Sequence, residues 1–529
     1  MRRITLLLGA VMLTMSGVNW MPEPALGAEA DAADSAPRFD IWEYQVEGNT
    51  LLPIVTVEKQ VYPHLGPQRT IRDVEAARGA LEKAYRDAGY STVGVDIPEQ
   101  AVDSGVVRLR VTEAKVSKVK VVGSRYYLQG KILAQTPSIA PGTTPRFPDF
   151  QRDLQTVNRF PGSRVTPVLR LGKEPGTTEI DLNVEDKNPV SGSVELNNHH
   201  SPNTSSTRLT GTVAYANLWQ LGHTLSLQYQ TAPAQPSESK VWVASYLMPV
   251  PQSDKLVALY AVRSRSAVAA LSDFTVIGNG DIVGARLVDP LPPIGALYQS
   301  LTYGLDYKDF QENVTQPGTP GIQTPIRYVP ASVTWSGTRG DKGGEWQFST
   351  GAALGLRGAG SDELAFENKR YKAHGNFFVW KWEAQRSQVL SKSLTLVGRV
   401  DGQFADQPLV SNEQFSAGGS ASVRGYLESE QIADNGAHSS IELRGPSLLR
   451  GNGAARLLPL AFVEGSYLWL NDPLPGQQRD FSLYSTGLGL RLTEWHRLEA
   501  ALDLAWPLKD SAYSHAGDAR VQFSTRIQF

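Results

Sequence analysis

The sequence predicts an all-β transmembrane barrel of about sixteen antiparallel strands, preceded by two small α+β domains. Three features carry that expectation: an amino-terminal export signal, no later apolar run of spanning length, and a carboxyl-terminal region, residues 189–529, whose polarity alternates residue by residue. Only helices and closed barrels cross lipid, because each backbone polar group must find a partner there. Without a spanning helix, a membrane-resident chain of this kind is a barrel.

The export signal is Met1-Arg2-Arg3, a mostly apolar stretch over residues 4–18, and Ala25-Leu26-Gly27-Ala28 before an acidic segment. That order of basic, apolar and small residues predicts a signal peptide over residues 1–28. A short linker, 29–38, follows. The apolar stretch is shorter than the ~20 residues of a spanning helix.

Residues 39–115 read as the first small domain. FDIWEYQVEGNTLLP begins it as a strand ending in a Gly-Asn turn. Thr70 suits a helix cap, Asp73 falls in the first turn, and Ile71, Val74, Leu81 and Tyr85 recur at helical spacing until Gly89. Strands over 90–97 and 106–111 complete the order β, α, β, β. Residues 116–188 repeat it, with a strand over 116–122, a short helix over 148–160, strands over 165–171 and 179–184, and a stop at Asn188-Pro189.

Beyond Pro189 the helical period largely disappears. Leu225, Leu227 and Tyr229 interleave with Ser226, Gln228 and Gln230, and Leu498, Leu502 and Leu504 with Glu499 and Asp503. One greasy and one polar face per strand fits a water-filled barrel, and also a soluble sandwich. Connection length separates the two. Short joints near 217–222, 249–254 and 493–496 take turns with long ones near 264–280, 310–325 and 507–518, the alternation of periplasmic turns and outer loops. The last strand, 520–529, sets Val521, Phe523, Thr525, Ile527 and Phe529 on one face.

Composition excludes several classes. A formal net charge of −2 supplies no large field for nucleic acid, and zero cysteines exclude disulfides and thiolate metal sites. Gly130-Lys131 and Gly172-Lys173 lack the rest of a phosphate loop, and neither GxSxG nor HExxH occurs. His199-His200 reads as a solvated pair in an outer loop. No catalytic residue, metal or cofactor is expected.

The longest outer connection, residues 406–437, holds Gln414-Phe415-Ser416-Ala417-Gly418-Gly419 and then Ser422-Val423-Arg424-Gly425-Tyr426. This resembles the VRGF/VRGY loop tip of the outer-membrane superfamily that includes BamA and the two-partner secretion transporters. With two preceding modules that resemble POTRA domains, the closer likeness is to the transporter (TpsB) side, the ShlB, FhaC and HecB haemolysin activation/secretion family. BamA-like insertases typically carry more such modules. The resemblance spans residues 39–529.

It implies that the loop folds into the lumen and that Arg424 pairs with a carboxylate on the inner wall. The family's wall motif resembles Phe-x-Asp-Gly, matched here by Phe462-Val463-Glu464-Gly465, which makes Glu464 the candidate partner with one methylene more than the family aspartate. A guanidinium in a narrow channel is costly unless paired, and glycines beside it permit close backbone approach. The plainer readings, a solvated loop arginine and an ordinary lumen-facing glutamate, stay open at this level. The aromatic terminus Phe529 looks like the signal read by the barrel-assembly machinery. The implied partners are a large unfolded exoprotein, adhesin- or haemolysin-like (TpsA type), and outer-membrane lipid. Some members thread an amino-terminal helix through the pore, but the ten or so residues before Phe39 would span only ~15 Å as a helix, so no full plug helix is expected. The competing functions are a barrel insertase, a passive porin and, more distantly, a barrel enzyme.

Overall fold

The computed structural model describes residues 37–102, 104–158, 162–251, 253–266, 268–271, 274–314, 322–449 and 454–529. The expected signal peptide, most of the linker and the question of a plug helix lie outside these residues.

By internal contacts the chain divides into two compact units, one built on the chain up to Val119 with Pro137–Asp153 and Leu169–Ile180, the other containing all of Asp181–Phe529. In the first, helix Ile71–Asp87 starts at a reciprocal box in which Thr70 and Asp73 bond each other's backbone amides. Gly89, at φ +96°, lets the chain turn away after it. Val74, Ala77, Leu81 and Tyr85 are buried, whereas Ile71 is exposed, because the helix starts at the solvent edge of the core. The helix covers a sheet ordered Glu43–Glu47, Val106–Glu113, Val93–Asp96. The sequence reading missed helix Ile54–Val61, whose buried Val57 and Val61 join the same core. The second repeat contains Lys115–Val122, helices Gln129–Ala134 and Phe147–Val157, and strands Ser163–Leu171 and Thr177–Asp186, with Thr177–Asp186 central in its sheet.

Glu113 ties the first module's sheet to its turn. Its carboxylate accepts from the amides of Thr50 at 2.7 Å and Leu51 at 3.0 Å, from the Thr50 hydroxyl, and from the Tyr85 hydroxyl at 3.2 Å. Burial pushes the carboxyl up, but these donors outweigh it and hold Glu113 below its ordinary value. A lowered folded value stabilises above the unfolded ~4.3 and is lost as pH falls through the folded value. Glu113→Gln is therefore expected to weaken this module by about 1 kcal/mol at pH 7 and to flatten its stability between neutral and acid pH. Hydrogen exchange of the 71–113 amides in the full chain, at pH 7 and pH 4, reads both effects.

The second unit is a closed antiparallel barrel of sixteen strands, from Val190–Asn197 to Arg520–Gln528. Ile322–Tyr328 and Pro330–Asp341 count as one strand, since both pair with Leu297–Val314 and are parted only at Val329, before a proline that cannot donate to the ladder. The barrel closes where the last strand meets the first, Ile527 opposite Val194. Phe529 and Gly192 exchange two backbone hydrogen bonds of 2.9 Å there. A Cβ on Gly192 would lie 2.5 Å from the Phe529 ring, so the terminal aromatic is seated on a glycine.

Exposed Leu227, Trp242, Val283, Leu305, Val463 and Val521 face outward, while Gln230, Ser264, Asp306, Glu464, Asp503 and Gln522 are buried facing the lumen. This is the alternation read from the sequence. Turns as short as that between Ile294 and Leu297 lie at the same end as Val190. Long connections mark the other end. One of them holds a helix that the alternation did not reveal, Glu363–Lys369, capped by Asp362 accepting from the Ala365 amide at 2.9 Å. Its Phe366 packs with Tyr328, Phe377, Leu409 and Val410 in an apolar cluster.

Candidate functional site: an arginine held by the barrel wall

The connection between strands Leu394–Ala405 and Asn435–Arg444 returns into the barrel as a hairpin, Phe415–Ala417 against Gln431–Ala433, with the Val423-Arg424-Gly425-Tyr426 tip beyond it. Gly418, Gly419 and Gly425 stand at φ +103°, +101° and +94°, where a side chain is strained. Gly425 also leaves room at the wall, since a Cβ there would meet Pro507 at 3.1 Å.

Arg424 is 5% exposed. Its Nε and Nη2 donate to Glu464 Oε1 at 2.9 and 2.5 Å, and its own amide donates to Oε2 at 2.8 Å. One carboxylate thus fixes both the head and the backbone of the residue. Nη2 lies 3.0 Å from Glu442 Oε2 and Nη1 3.3 Å from Asp503 Oδ1. Arg444 pairs with Glu442 at 2.7 Å and Arg491 with Asp503 at 2.8 Å. Three arginines face three carboxylates, so the cluster is formally neutral. The guanidinium lies over the Phe462 ring, 3.4 Å from Cζ to the ring centroid.

The strands explain this placement. Phe462, Glu464 and Ser466 are among the lumen-facing positions of Arg456–Trp469, while Val463 faces outward. Gly465 lies on the outward side, where a Cβ would meet the Tyr484 ring at 2.8 Å. Gly487 and Gly489 on the next strand clear the space, since a Cβ would come within 2.3 Å of the Phe462 ring and 2.2 Å of Asp503 Oδ1 respectively. The rest of the tip is pinned too. Val423 is fully buried, the Tyr426 hydroxyl donates to the carbonyls of Tyr484 and Lys509 at 3.1 and 2.8 Å, and the Gly425 amide donates to Gln522 at 3.2 Å.

The sequence reading brought Arg424, Glu464 and Phe462 together and missed Glu442, Arg444, Arg491 and Asp503. A signal existed, since Asp503 is a polar position in an alternating strand. Nor are His199 and His200 idle: the His200 carbonyl accepts from Glu428 N at 3.0 Å, and His199 Nδ1 lies 3.3 Å from the Ser420 hydroxyl. The opposite wall is left free of the tip. A polar cavity of about 580 Å³ remains there, lined by Arg286, Lys308, Lys381, Glu383 and Arg399 and floored by Glu413 and Phe415 of the loop.

The model of the haemolysin secretion/activation proteins ShlB/FhaC/HecB matches residues 176–492, and that of the ShlB-type POTRA domain matches residues 39–114. The chain belongs to the ShlB/FhaC/HecB family. It is similar to the outer membrane transporter CdiB of Dickeya dadantii, 22% identical over 516 residues that cover 95% of this chain and 88% of that one. It also resembles the heme/hemopexin transporter protein HuxB of Haemophilus influenzae, 20% identical across 90% of this chain and 84% of its relative. Among solved structures, CdiB from Escherichia coli superimposes with a TM-score of 0.60 at 20% identity, covering 95% of this chain and 93% of that one. BamA from Haemophilus ducreyi lacking POTRA domains 1-3 gives 0.56 at 12%, over 93% and 100%. The protein is an outer-membrane transporter of two-partner secretion, with its POTRA domains in the periplasm.

Proposed function

We propose that this transporter captures one large unfolded exoprotein through the strand edges of its POTRA domains and passes it through the barrel, without catalysing any reaction. The carrying observation is the buried Arg424 cluster, which holds the loop inside a barrel whose opposite wall is polar and hollow. An extended client can add a strand to an open sheet edge through backbone hydrogen bonds, which tolerates varied side chains. In the second POTRA domain Pro167 interrupts the donors of Ser163–Leu171, and Lys115–Val122, an edge strand without proline, offers its edge beyond Val116, which is bonded to Gly142 and Thr143. The free energy for export comes from the client folding outside. The seating of Phe529 at the barrel seam supports its reading as the segment that the barrel-assembly machinery engages, and the apolar outer face fits lipid.

Proteomics of medium, periplasm and outer membrane from a deletion strain tests this reading. The expected result is loss of one large protein from the medium by at least ~tenfold and its return with the wild-type gene, at constant abundance of other barrels. A joint fall of many barrels without a selectively lost secreted protein would sink export in favour of an insertase.

A further inference from the structure

The lipid-facing side of five consecutive strands carries charge where a barrel wall should be apolar. Lys240 of Ser239–Pro249 lies directly opposite Arg265 of Leu256–Ser266. One row inward, Trp242, Arg263, Asp281, Asp309 and Arg327 stand opposite one another in turn across neighbouring strands. In that row the charges are satisfied within the wall: Arg263 grips Asp281 through two bonds of 2.8 and 3.2 Å, and Arg327 meets Asp309 at 2.9 Å. Lys240 and Arg265 differ. Both are exposed, and among the described residues no ion pair engages either. Two like charges directly opposite on a sheet repel, a cost that persists until an anion lies between them.

Their level follows from the strand itself. On Gly280–Ile294, Asp281 marks one border of the outer face and Asp289, paired with Lys255 at 2.8 Å, the other. The eight residue steps from one to the other span about 26 Å along the strand, or ~20 Å along the membrane normal at a tilt of 35–45°, close to the height of a barrel's apolar band. The Arg263 row thus borders the hydrocarbon on the loop side, and Lys240 and Arg265 lie one row further out, among the lipid headgroups. Immediately below, Ala244, Ala261 and Ala285 form the floor of an apolar trough of about 540 Å³ between the larger Tyr246, Leu259 and Val283. Ala244, Ala261 and Val283 are the next row under Trp242, Arg263 and Asp281.

We infer that this face is a binding site for a phosphorylated lipid of the outer leaflet, with an acyl chain in the alanine trough and a phosphate between Lys240 and Arg265. The two halves of such a ligand need an apolar slot and a pair of cations in line, and the register of the strands supplies both. Trp242, 54% exposed between them, suits the boundary that amphipathic rings prefer.

The test is a titration of the purified full-length barrel in detergent, followed by native mass spectrometry, with bis-phosphorylated lipid A as the probe. Dephosphorylated lipid A and inorganic phosphate alone form the two control arms. Lys240→Gln with Arg265→Gln is expected to weaken lipid A binding by ~30-fold, and the wild-type barrel should lose a similar factor toward the dephosphorylated lipid. Ala261→Phe, which fills the trough, should lower lipid binding as well. Equal binding of both lipids by the wild type overturns the phosphate site, whatever the folding of the variants. Inorganic phosphate bound as tightly as the lipid, or an Ala261→Phe barrel that binds lipid A unchanged, overturns the acyl slot.

Discussion

Arg424→Ala is expected to reduce secretion of the client to the medium by tenfold or more, with the barrel still inserted and its abundance unchanged. The substitution removes the residue that, alone among the described residues, engages all three wall carboxylates. Glu442 and Asp503 keep Arg444 and Arg491, but Glu464, 6% exposed, loses the cation paired with it. Stranding one partner of a buried pair costs about 3–5 kcal/mol, a factor of roughly 10² to 10⁴ in the balance between a docked and an undocked loop. Arg424→Lys separates geometry from charge. An ammonium can meet one Glu464 oxygen but cannot also span to Glu442 and Asp503, so an intermediate loss is expected. Glu464→Gln keeps shape and removes charge, and should fall between lysine and alanine. Client abundance in the medium, set beside protease cleavage of the loop in purified barrels, checks the series. Secretion at wild-type level with a cleavable loop would separate the docked tip from transport.

Much of this architecture was legible because a barrel writes a strict two-residue period into its sequence. Leu227 beside Gln228, or Leu502 beside Asp503, can only mean opposite faces once the strand exists, and the connection lengths said which end was which. The loop tip was legible for a different reason, since its glycines and arginine recur as a motif. What stayed hidden depends on contacts between distant strands. Nothing near Gly487 or Gly489 announces that each absent side chain makes room for Phe462 or Asp503. Likewise Arg491 is an ordinary cation until the strand register brings it to Asp503, twelve residues away, and Arg444, on the same strand face as Glu442, until that face meets the loop tip. Helix Glu363–Lys369 was missed because about two turns of helix, stabilised by an Asp362 cap and a single buried Phe366, leave too little periodicity to read.

Asp434→Ala should be as damaging as loss of Arg424, through the opposite end of the same loop. Asp434 is fully buried at the point where the loop rejoins the wall, and all its acceptor capacity is used. Oδ1 accepts from the Leu409 amide and the Gln414 side chain, both at 2.9 Å. Oδ2 accepts from Arg370 Nη2 at 2.9 Å and the Asn471 amide at 2.8 Å. Three connections thereby meet at one carboxylate: the inward loop, the loop carrying Glu363–Lys369, and the hairpin after Trp469. Alanine leaves a guanidinium, two backbone amides and the Gln414 side chain without that acceptor, and a cost of about 3–5 kcal/mol is expected on the scale of a broken buried pair. Asparagine tests the argument more sharply. Its amide oxygen can serve one side of the junction, but its NH₂ must then face donors on the other, so Asp434→Asn is expected to recover only part of the loss. Hydrogen exchange reads the difference from Arg424→Ala: the Leu409 and Asn471 amides should exchange at least tenfold faster in Asp434→Ala and stay protected in Arg424→Ala. Equal protection in both variants would mean that the junction stands without its carboxylate.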